Sequence, residues 1–468
     1  MPLFTQAGRP LRVTTELGED GLLLSSFTGR EAVSQPYVYA LDLLSEDRQI
    51  DPARMLRSRV TLHVGLPGGG ERQVHGIVRR FVRQERGEQL NAYHAEIVPW
   101  LWFLSLSHDC RIFQNVTVPE IIETVFGDLG YTDYENRCTG SYQKREYCVM
   151  YRESHLDFVS RLMEEEGIYY HFEHETRKHT LVLVDAPVNL KDVPGSADAH
   201  MAGQGAPHED LVVGLQEEHS VYIARVALKS NDYLQPSLTL YETVSGESPG
   251  KEEVYDYPGK YTDTETGQRY ARLRLGAAEA LRHVVRGHGT MRSFIAGHKF
   301  DLQDHHILDA NQTYVLLEVQ HTGSVGDFIA GGGGGARAEY SNQFVALPYR
   351  IPYLPQPATG KPIVRGSQTA LVVGPSGEEI HTDKHGRVKV QFHWDRQGKK
   401  DEKSSCWVRV SSGWAGKGWG AVSLPRIGQE VIIDFLEGDP DRPIITGRVY
   451  NAEQVPPYTL PGNQTQSG

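Results

Sequence analysis

PRIGQEVIIDFLEGDPDRPIITGRVYN, residues 425–451, decides how this chain is read. Two apolar runs, EVIIDFLE (430–437) and PIITGRVY (443–450), flank EGDPDR, where three carboxylates and an arginine crowd together. Such a cluster is either an acid pair for hydrolysis or a turn. Gly438 can take a positive φ, Pro440 fixes its own φ, and Asp439 and Asp441 can bond the local backbone or Arg442. A hydrolytic pair would need a cleft and one carboxyl held protonated. The turn accounts for every residue, so the two runs are expected to be adjacent strands joined by it.

Working outward, the same region repeats the strand rhythm in TALVVG (369–374), GRVKVQFHW (386–394), CWVRVS (406–411) and WGAVSL (419–424). In GRVKVQFHW, Val388, Val390, Phe392 and Trp394 fall on one face and Arg387, Lys389, Gln391 and His393 on the other. Five or six such strands in about 90 residues suit a small closed barrel of the OB type, placed at 363–451. LPYRIPYLPQPATGKP (347–362) precedes it, and its five prolines stiffen the chain and remove backbone donors, so a linker is expected there.

Upstream, PYVYALDLLS (36–45), SRVTLHVGL (58–66), HGIVRRFVRQ (75–84) and AYHAEIVPWLW (92–102) alternate at period two, which predicts strands of a β-barrel over residues 1–110. Helical punctuation follows over 111–200. Thr117 and Glu120 have capping-box spacing with Pro119 in the first turn, Ile121, Ile122, Val125, Phe126 and Leu129 mark one face, and Gly130 is a stop. Ser154 and Asp157 cap a second helix ending at Gly167, and IYYHF (168–172) returns to a strand. An α/β insertion is therefore expected at 111–200, with a second barrel at 201–346 around a helix near 265–282 carrying Tyr270, Leu273 and Leu281. GGGGG (331–335) reads as a loop with the wrong spacing for a nucleotide fingerprint.

The chain has 468 residues, about three domains at roughly 150 residues each. Its net charge of −12 argues against a protein devoted to neutralising nucleic-acid phosphates. Cys110, Cys138, Cys148 and Cys406 have neither CxxC nor zinc-ribbon spacing and are expected as reduced thiols. No signal-peptide pattern opens the sequence and no run of about 18 apolar residues occurs, so synthesis in the cytoplasm is expected, and any export would need a dedicated machine.

Three enzymatic or binding readings compete. Gly246–Gly250 spells GxSxG around Ser248, but Pro249 cannot donate an oxyanion-hole N–H. His305 with His306, and His171 with His174, offer imidazoles without HExxH or another metal spacing. An OB barrel can bind single-stranded nucleic acid through exposed aromatics such as Trp394, Trp407, Trp414 and Trp419. Residues 361–450 carry 14 Lys and Arg against 11 Asp and Glu, a modest excess, and Trp394 sits on an apolar strand face.

GSQTALVVGPSGEEIHTDKHGRVKVQFHWDR (366–396), SSCWVRVSSGWAGKGWG (404–420) and PRIGQEVIIDFLEGDPDRPIITGRVYN (425–451) resemble the VgrG spike proteins of bacterial type VI secretion systems. So do GREAVSQPYVYALDLLS (29–45), PWLWFLSLSHDCRIFQNVTVPEII (99–122), SHLDFVSRLMEEEGIYYHFEH (154–174), YDYPGKY (255–261), AGHKFDLQDHH (296–306) and YSNQFVALP (340–348). The resemblance implies a mainly β chain: two related barrels of a phage-hub-like region with an α/β insertion, then the OB barrel. It implies a homotrimer on a hexameric ring of Hcp tube protein, surrounded by a baseplate, carrying a PAAR-repeat tip and effectors on a β-helical needle. No catalytic, cofactor or metal residue and no nucleic-acid partner is implied. Residues 452–468, ending LPGNQTQSG, stand where that needle would begin, which puts tip and cargo binding in doubt.

Overall fold

The computed structural model describes residues 4–84, 90–203, 209–326, 328 and 338–467; the glycine run 331–335 lies outside the described residues. The chain groups into two compact units. One comprises Met1–Leu104, Leu129–Ser141 and Ser160–Ala358, the other Ser105–Asp128, Tyr142–Val159 and Thr359–Gly468.

The first unit is built on one twelve-stranded sheet. Its first lobe runs, in spatial order, Leu11–Thr14, Arg59–Gly65, Glu71–Gln84, Asn91–Val98, Gln35–Ser45 and Leu23–Ala32. Its second continues with Thr313–Ser324, Glu339–Pro348, His283–Gly289 and Val212–His219, while Asp198–His200 and Lys299–Gln303 branch from Thr313–Ser324. The two expected barrels thus share a sheet, joined where Leu23–Ala32 pairs antiparallel with Thr313–Ser324, from Ala32 opposite Glu318 to Ser26 opposite Ser324. Period-two burial drives the pairing: Tyr37, Tyr39, Leu41 and Leu43 turn inward from one strand, and Leu62 and Val64 from another. The second lobe closes over Phe294, Phe300, Tyr314, Leu316 and Phe344.

A three-stranded sheet, Leu240–Ser245, Arg225–Ser230 and Glu253–Asp256, carries the helix Thr264–Ala280, capped by Asp263, whose Oδ1 accepts from the Thr266 N–H at 2.8 Å. The apolar face of that helix is Ala271 and Leu275 with Tyr270 alongside. Leu281 is not part of it: it lies at the C-cap and is exposed. The capping boxes form as their spacing predicts, with Thr117 N–H donating to Glu120 Oε2 at 2.7 Å and Asp157 N–H to Ser154 Oγ at 3.0 Å. The segment 92–102 is a strand only to Val98. Pro99 cannot continue the ladder, and Trp100–Leu106 coils into a 3-10 helix.

In the second unit a five-stranded sheet, ordered Lys389–Phe392, Gln368–Val373, Glu430–Phe435, Pro443–Val449 and Arg409–Val410, closes on itself through paired backbone bonds between Val388 and Val408. Its core is Ala370, Val372, Val388, Val390, Phe392, Val408, Val431, Ile433 and Ile445, with Trp394 packed against it. WGAVSL forms no strand. Gly418 and Gly420 take positive φ, and Val422 is exposed, so the segment gains no burial from pairing. All four cysteines are free thiols; only Cys148 is fully buried.

One close approach fixes the junction between the lobes. Gly29 lies opposite Tyr39, and the ring of Tyr39 covers it so tightly that a Cβ on residue 29 would meet Tyr39 Cε1 at 2.1 Å. An aromatic ring laid over a bare glycine is a cross-strand device that needs both residues. Gly29→Ala should therefore destabilise the protein by about 1–3 kcal/mol through overpacking, read as a lower urea midpoint. An unchanged midpoint would mean that the ring can move aside freely.

Candidate functional site

The seam between the two lobes is where charge, burial and a cleft coincide. On one face of it, Glu31 and Gly29 of one strand neighbour His321 of the other, with His321 directly opposite Gly29. Because Gly29 has no side chain, the Tyr39 ring can lie nearly parallel to the His321 ring, centroids 5.8 Å apart. His321 Nε2 is 2.7 Å from Glu31 Oε1 and its Nδ1 is 2.7 Å from the Tyr340 hydroxyl. The carboxylate can only accept, so Nε2 carries the proton and Nδ1 accepts from Tyr340. Arg72 enters from the first lobe, its side chain 1% exposed, and its Nη1 donates to Glu31 Oε1 at 3.2 Å and to the Phe294 carbonyl at 2.7 Å.

Burial alone would raise the Glu31 carboxyl, but the hydrogen bond from His321 and the Arg72 charge help pull it down to about 2. His321 is lowered to about 4 by burial and then by Arg72, against the opposing pull of Glu31. The seam therefore holds one anion and one cation, bridged by a neutral imidazole.

A second histidine chain ties the first lobe to the hairpin Tyr169–Glu175 and Lys178–Val184. The Trp100 N–H donates to His179 Nε2 at 2.8 Å, so neutral His179 carries its proton on Nδ1 and gives it to His75 Nδ1, also 2.8 Å away. The His75 backbone N–H donates to His174 Nδ1 at 3.2 Å, and the Tyr37 hydroxyl donates to the His75 carbonyl at 2.6 Å. The three ring acceptors, His75 Nδ1, His174 Nδ1 and His179 Nε2, are lost if the imidazoles protonate. Burial lowers His75 to about 4, His174 to about 3 and His171 to about 3, and pushes His179 and His298 down as well. Beside them opens a cleft of about 280 Å³, walled in part by Glu71, Arg72, Glu173, His174, Lys191 and His298. His75, His171 and His174 thus lie well below the near-neutral range that suits a general base.

The residues singled out from the sequence fall elsewhere. Ser248 lies between two strands rather than before a helix, and its hydroxyl donates to the Tyr222 carbonyl at 3.2 Å, so no nucleophile elbow forms. His305 and His306 stack on each other near the surface, with the Ile307 N–H donating to His305 Nδ1 at 3.1 Å. His171 and His174 point to opposite faces, the first against His298 and the second toward Tyr37. Trp394 is half-buried and donates to Gln368 Oε1 at 2.9 Å, Trp407 packs on His381, and Trp414 and Trp419 are exposed and meet edge to face.

GDPDRP is the turn between the strands Glu430–Phe435 and Pro443–Val449. Glu437 and Gly438 take successive positive φ values of 56° and 68°, and the Arg442 N–H donates to the Asp439 carbonyl at 2.9 Å. The charge partner of the carboxylates is not the Arg442 side chain but Lys361, whose ammonium lies 2.6 Å from Asp439 Oδ1 and also contacts Asp441. Asp441 Oδ1 further accepts from the Val149 N–H at 2.6 Å. Sequence spacing gave no hint of either partner, because Lys361 and Val149 lie far away along the chain.

Two measurements test the seam. Arg72→Met should cost about 3–5 kcal/mol because Glu31 is left buried without its cation, and Arg72→Met with Glu31→Leu should recover part of it; a double-variant loss equal to the sum of the two single losses would show that the pair is not coupled. The histidines set a pH dependence. Unfolded imidazoles take a proton near 6.5 and the folded ones only near 3–4, so the unfolded state binds more protons between these limits and stability falls as pH drops from about 6.5. Melting temperature should fall between about pH 7.5 and about pH 5, and His174→Gln should shrink the difference; a melting temperature that holds steady would contradict the neutral assignment.

Comparison with known proteins places this geometry. Residues 30–326 match the family described as Phage tail baseplate hub (GPD), and residues 374–450 match the Type VI secretion system/phage-baseplate injector OB domain. The chain is 44% identical over 468 residues to the type VI secretion system spike protein VgrG1a of Pseudomonas aeruginosa, covering 99% of this chain and 73% of that protein. It is 43% identical to VgrG1c of the same organism, covering 100% of this chain and 65% of the relative, so it spans about two-thirds of that protein's length. The fold matches the Escherichia coli c3393 protein, a component of the type VI secretion system, with a TM-score of 0.68 at 21% identity, covering 94% of this chain and 100% of that one. With a hub sheet of two fused lobes, a small closed barrel carrying the GDPDRP turn, and this identity along its whole length, the chain belongs to the phage baseplate hub family and, within it, to the VgrG spike proteins of type VI secretion systems.

Proposed function

We propose that this chain is a non-enzymatic hub and spike-base component of a contractile injection machine, working by assembly and mechanical stability rather than turnover. Three copies would associate through their hub units and cap a hexameric ring of Hcp tube protein within a baseplate, and the spike would leave the cell with its cargo when the machine fires. In this reading 1–110 and 201–346 supply the two hub barrels, 111–200 the α/β insertion, 347–362 the linker, 363–451 the OB barrel, and 452–468 the approach to a needle carrying a PAAR-repeat tip and effectors. No helix among the described residues is long and apolar enough to cross a membrane.

The observation that carries the proposal is the pairing of Leu23–Ala32 with Thr313–Ser324, which makes two barrel lobes one body. Three chains with two lobes each offer six comparable surfaces, the number a hexameric ring requires, and symmetry matching of this kind is how closed assemblies meet. Identity to spike proteins along the whole of this chain supports the same reading.

The test is solution mass by light scattering over a range of concentrations, together with capture of purified Hcp. A trimer, or a monomer–trimer mixture that shifts with concentration, and Hcp retention are expected; a stable dimer at every concentration would sink the assignment. Retention on single-stranded DNA at physiological salt without Hcp capture would instead favour the nucleic-acid reading of the OB barrel. Ser248→Ala should leave any esterase background unchanged.

A further inference from the structure

The last strand of the hub sheet, Val212–His219, pairs antiparallel with His283–Gly289, placing His219 directly opposite His283 and Glu217 opposite Val285. Glu217 and His219 are two residues apart and so share a face with His283. The two rings stack with centroids 4.2 Å apart at 23°. Glu217 Oε1 lies 3.3 Å from His219 Nε2 and 2.5 Å from His283 Nε2. All three donor atoms fall within 4.8 Å of one another, the one such cluster among the described residues. The His283 side chain is 8% exposed, and despite the short contact its Nε2 has no partner with hydrogen-bond geometry. With His219 Nε2 beside this close pair, three potential ligand atoms converge on one face of the two strands, and a modest opening of the Glu217–His283 contact would admit an ion.

We propose that Glu217, His219 and His283 form a binding site for one divalent transition-metal ion of the zinc class. Two imidazole nitrogens and one carboxylate oxygen are a donor set that zinc accepts, leaving a further coordination position open. That position faces a surface cleft of about 410 Å³ whose walls include Tyr222, Arg282, Arg350 and Ile351. Arg282 is held there by the Tyr222 hydroxyl at 3.0 Å and Glu247 at 3.2 Å. With two guanidinium groups in the wall, the ligand that completes the shell is water or an anionic oxygen, not a further cation. The ion would clamp the His219 end of this strand to its neighbour at the margin of the sheet.

The site is invisible along the sequence, because His283 comes 64 residues after His219 and only the strand register brings them face to face. It is also independent of the assembly reading: a protein that never trimerised could still bind the ion.

The test uses the full chain freed of metal by chelation and titrated with zinc alone, followed by calorimetry and by melting temperature. One zinc per chain and a rise in melting temperature are expected, since a ligand that binds only the folded state stabilises it. His219→Ala removes a side chain that is largely exposed, so this variant keeps its fold and should bind at least tenfold more weakly, as should Glu217→Gln. His283→Ala should abolish stoichiometric binding. No uptake at micromolar zinc, or uptake with the same affinity in wild type, His219→Ala and Glu217→Gln, would overturn the assignment and leave only adventitious binding to other histidines.

Discussion

The hub depends on Arg72 being buried beside Glu31 at the seam of the two lobes. A guanidinium that is 1% exposed has given up its water, and it is tolerable only while a carboxylate and the Phe294 carbonyl receive it. Glu31 belongs to the strand that leads the first lobe into the second, His321 to the strand that receives it, and Phe294 to the interior of the second lobe. A slip of one residue in this pairing would put Glu31 and His321 on opposite faces and break the network that receives the Arg72 charge. Buried ion pairs add little net stability compared with apolar packing, but the penalty for breaking one is large. The network therefore acts on register: it makes one alignment of the two lobes acceptable and its neighbours costly.

The neutral histidines extend that logic outward. His75, His174 and His179 accept backbone or side-chain donors through their unprotonated nitrogens, and each acceptor is a contact between the first lobe and the hairpin beside it. At neutral pH these contacts cost no charge burial; in acid, keeping them requires the protein to hold off protons that the unfolded chain would accept. Electrostatic order in the hub is thus built from one compensated ion pair and a set of imidazoles kept uncharged. Exposed pairs such as Arg30–Glu318, bidentate at 3.0 and 2.9 Å across the same seam, add orientation with little energy.

Much of this architecture was legible before any coordinates. Alternation in PYVYALDLLS and GRVKVQFHW found strands and their inner faces, and Thr117–Glu120 and Ser154–Asp157 found helix starts, because these signals are local and a few residues contain the whole cause. The strand tail at Trp100 and the apparent strand WGAVSL misled for the same reason: local alternation says nothing of Pro99 ending a ladder or of burial that never arrives. The seam was not legible. Glu31, Arg72 and His321 are separated by tens to hundreds of residues, and nothing in the neighbourhood of any one of them advertises a partner. Gly29 could be seen as a glycine but not as the space that Tyr39 fills.

The GDPDRP turn shows how a local signal and a distant one combine. Its backbone path is dictated locally, by two successive positive φ values and a proline, and any chain with that segment between apolar strands would turn there. Its carboxylates serve the turn and more: Asp439 Oδ1 accepts from the Asp441 N–H at 3.0 Å within it. Asp441 accepts from the Val149 N–H and shares Lys361 with Asp439, so the turn reaches the strand Cys148–Ser154 on one side and the segment entering the barrel on the other. Ile112 and Tyr151, from the hairpin His108–Phe113 and Cys148–Ser154, pack on the same barrel, Ile112 against its core and Tyr151 against Trp394. A cluster of acids that resembles catalytic machinery is instead the point at which three stretches of one compact unit are held by a single lysine and a backbone amide. Removing the charge of Lys361 would therefore loosen more than the turn, because two carboxylates would lose their common cation while Asp441 still had to hold the Val149 N–H.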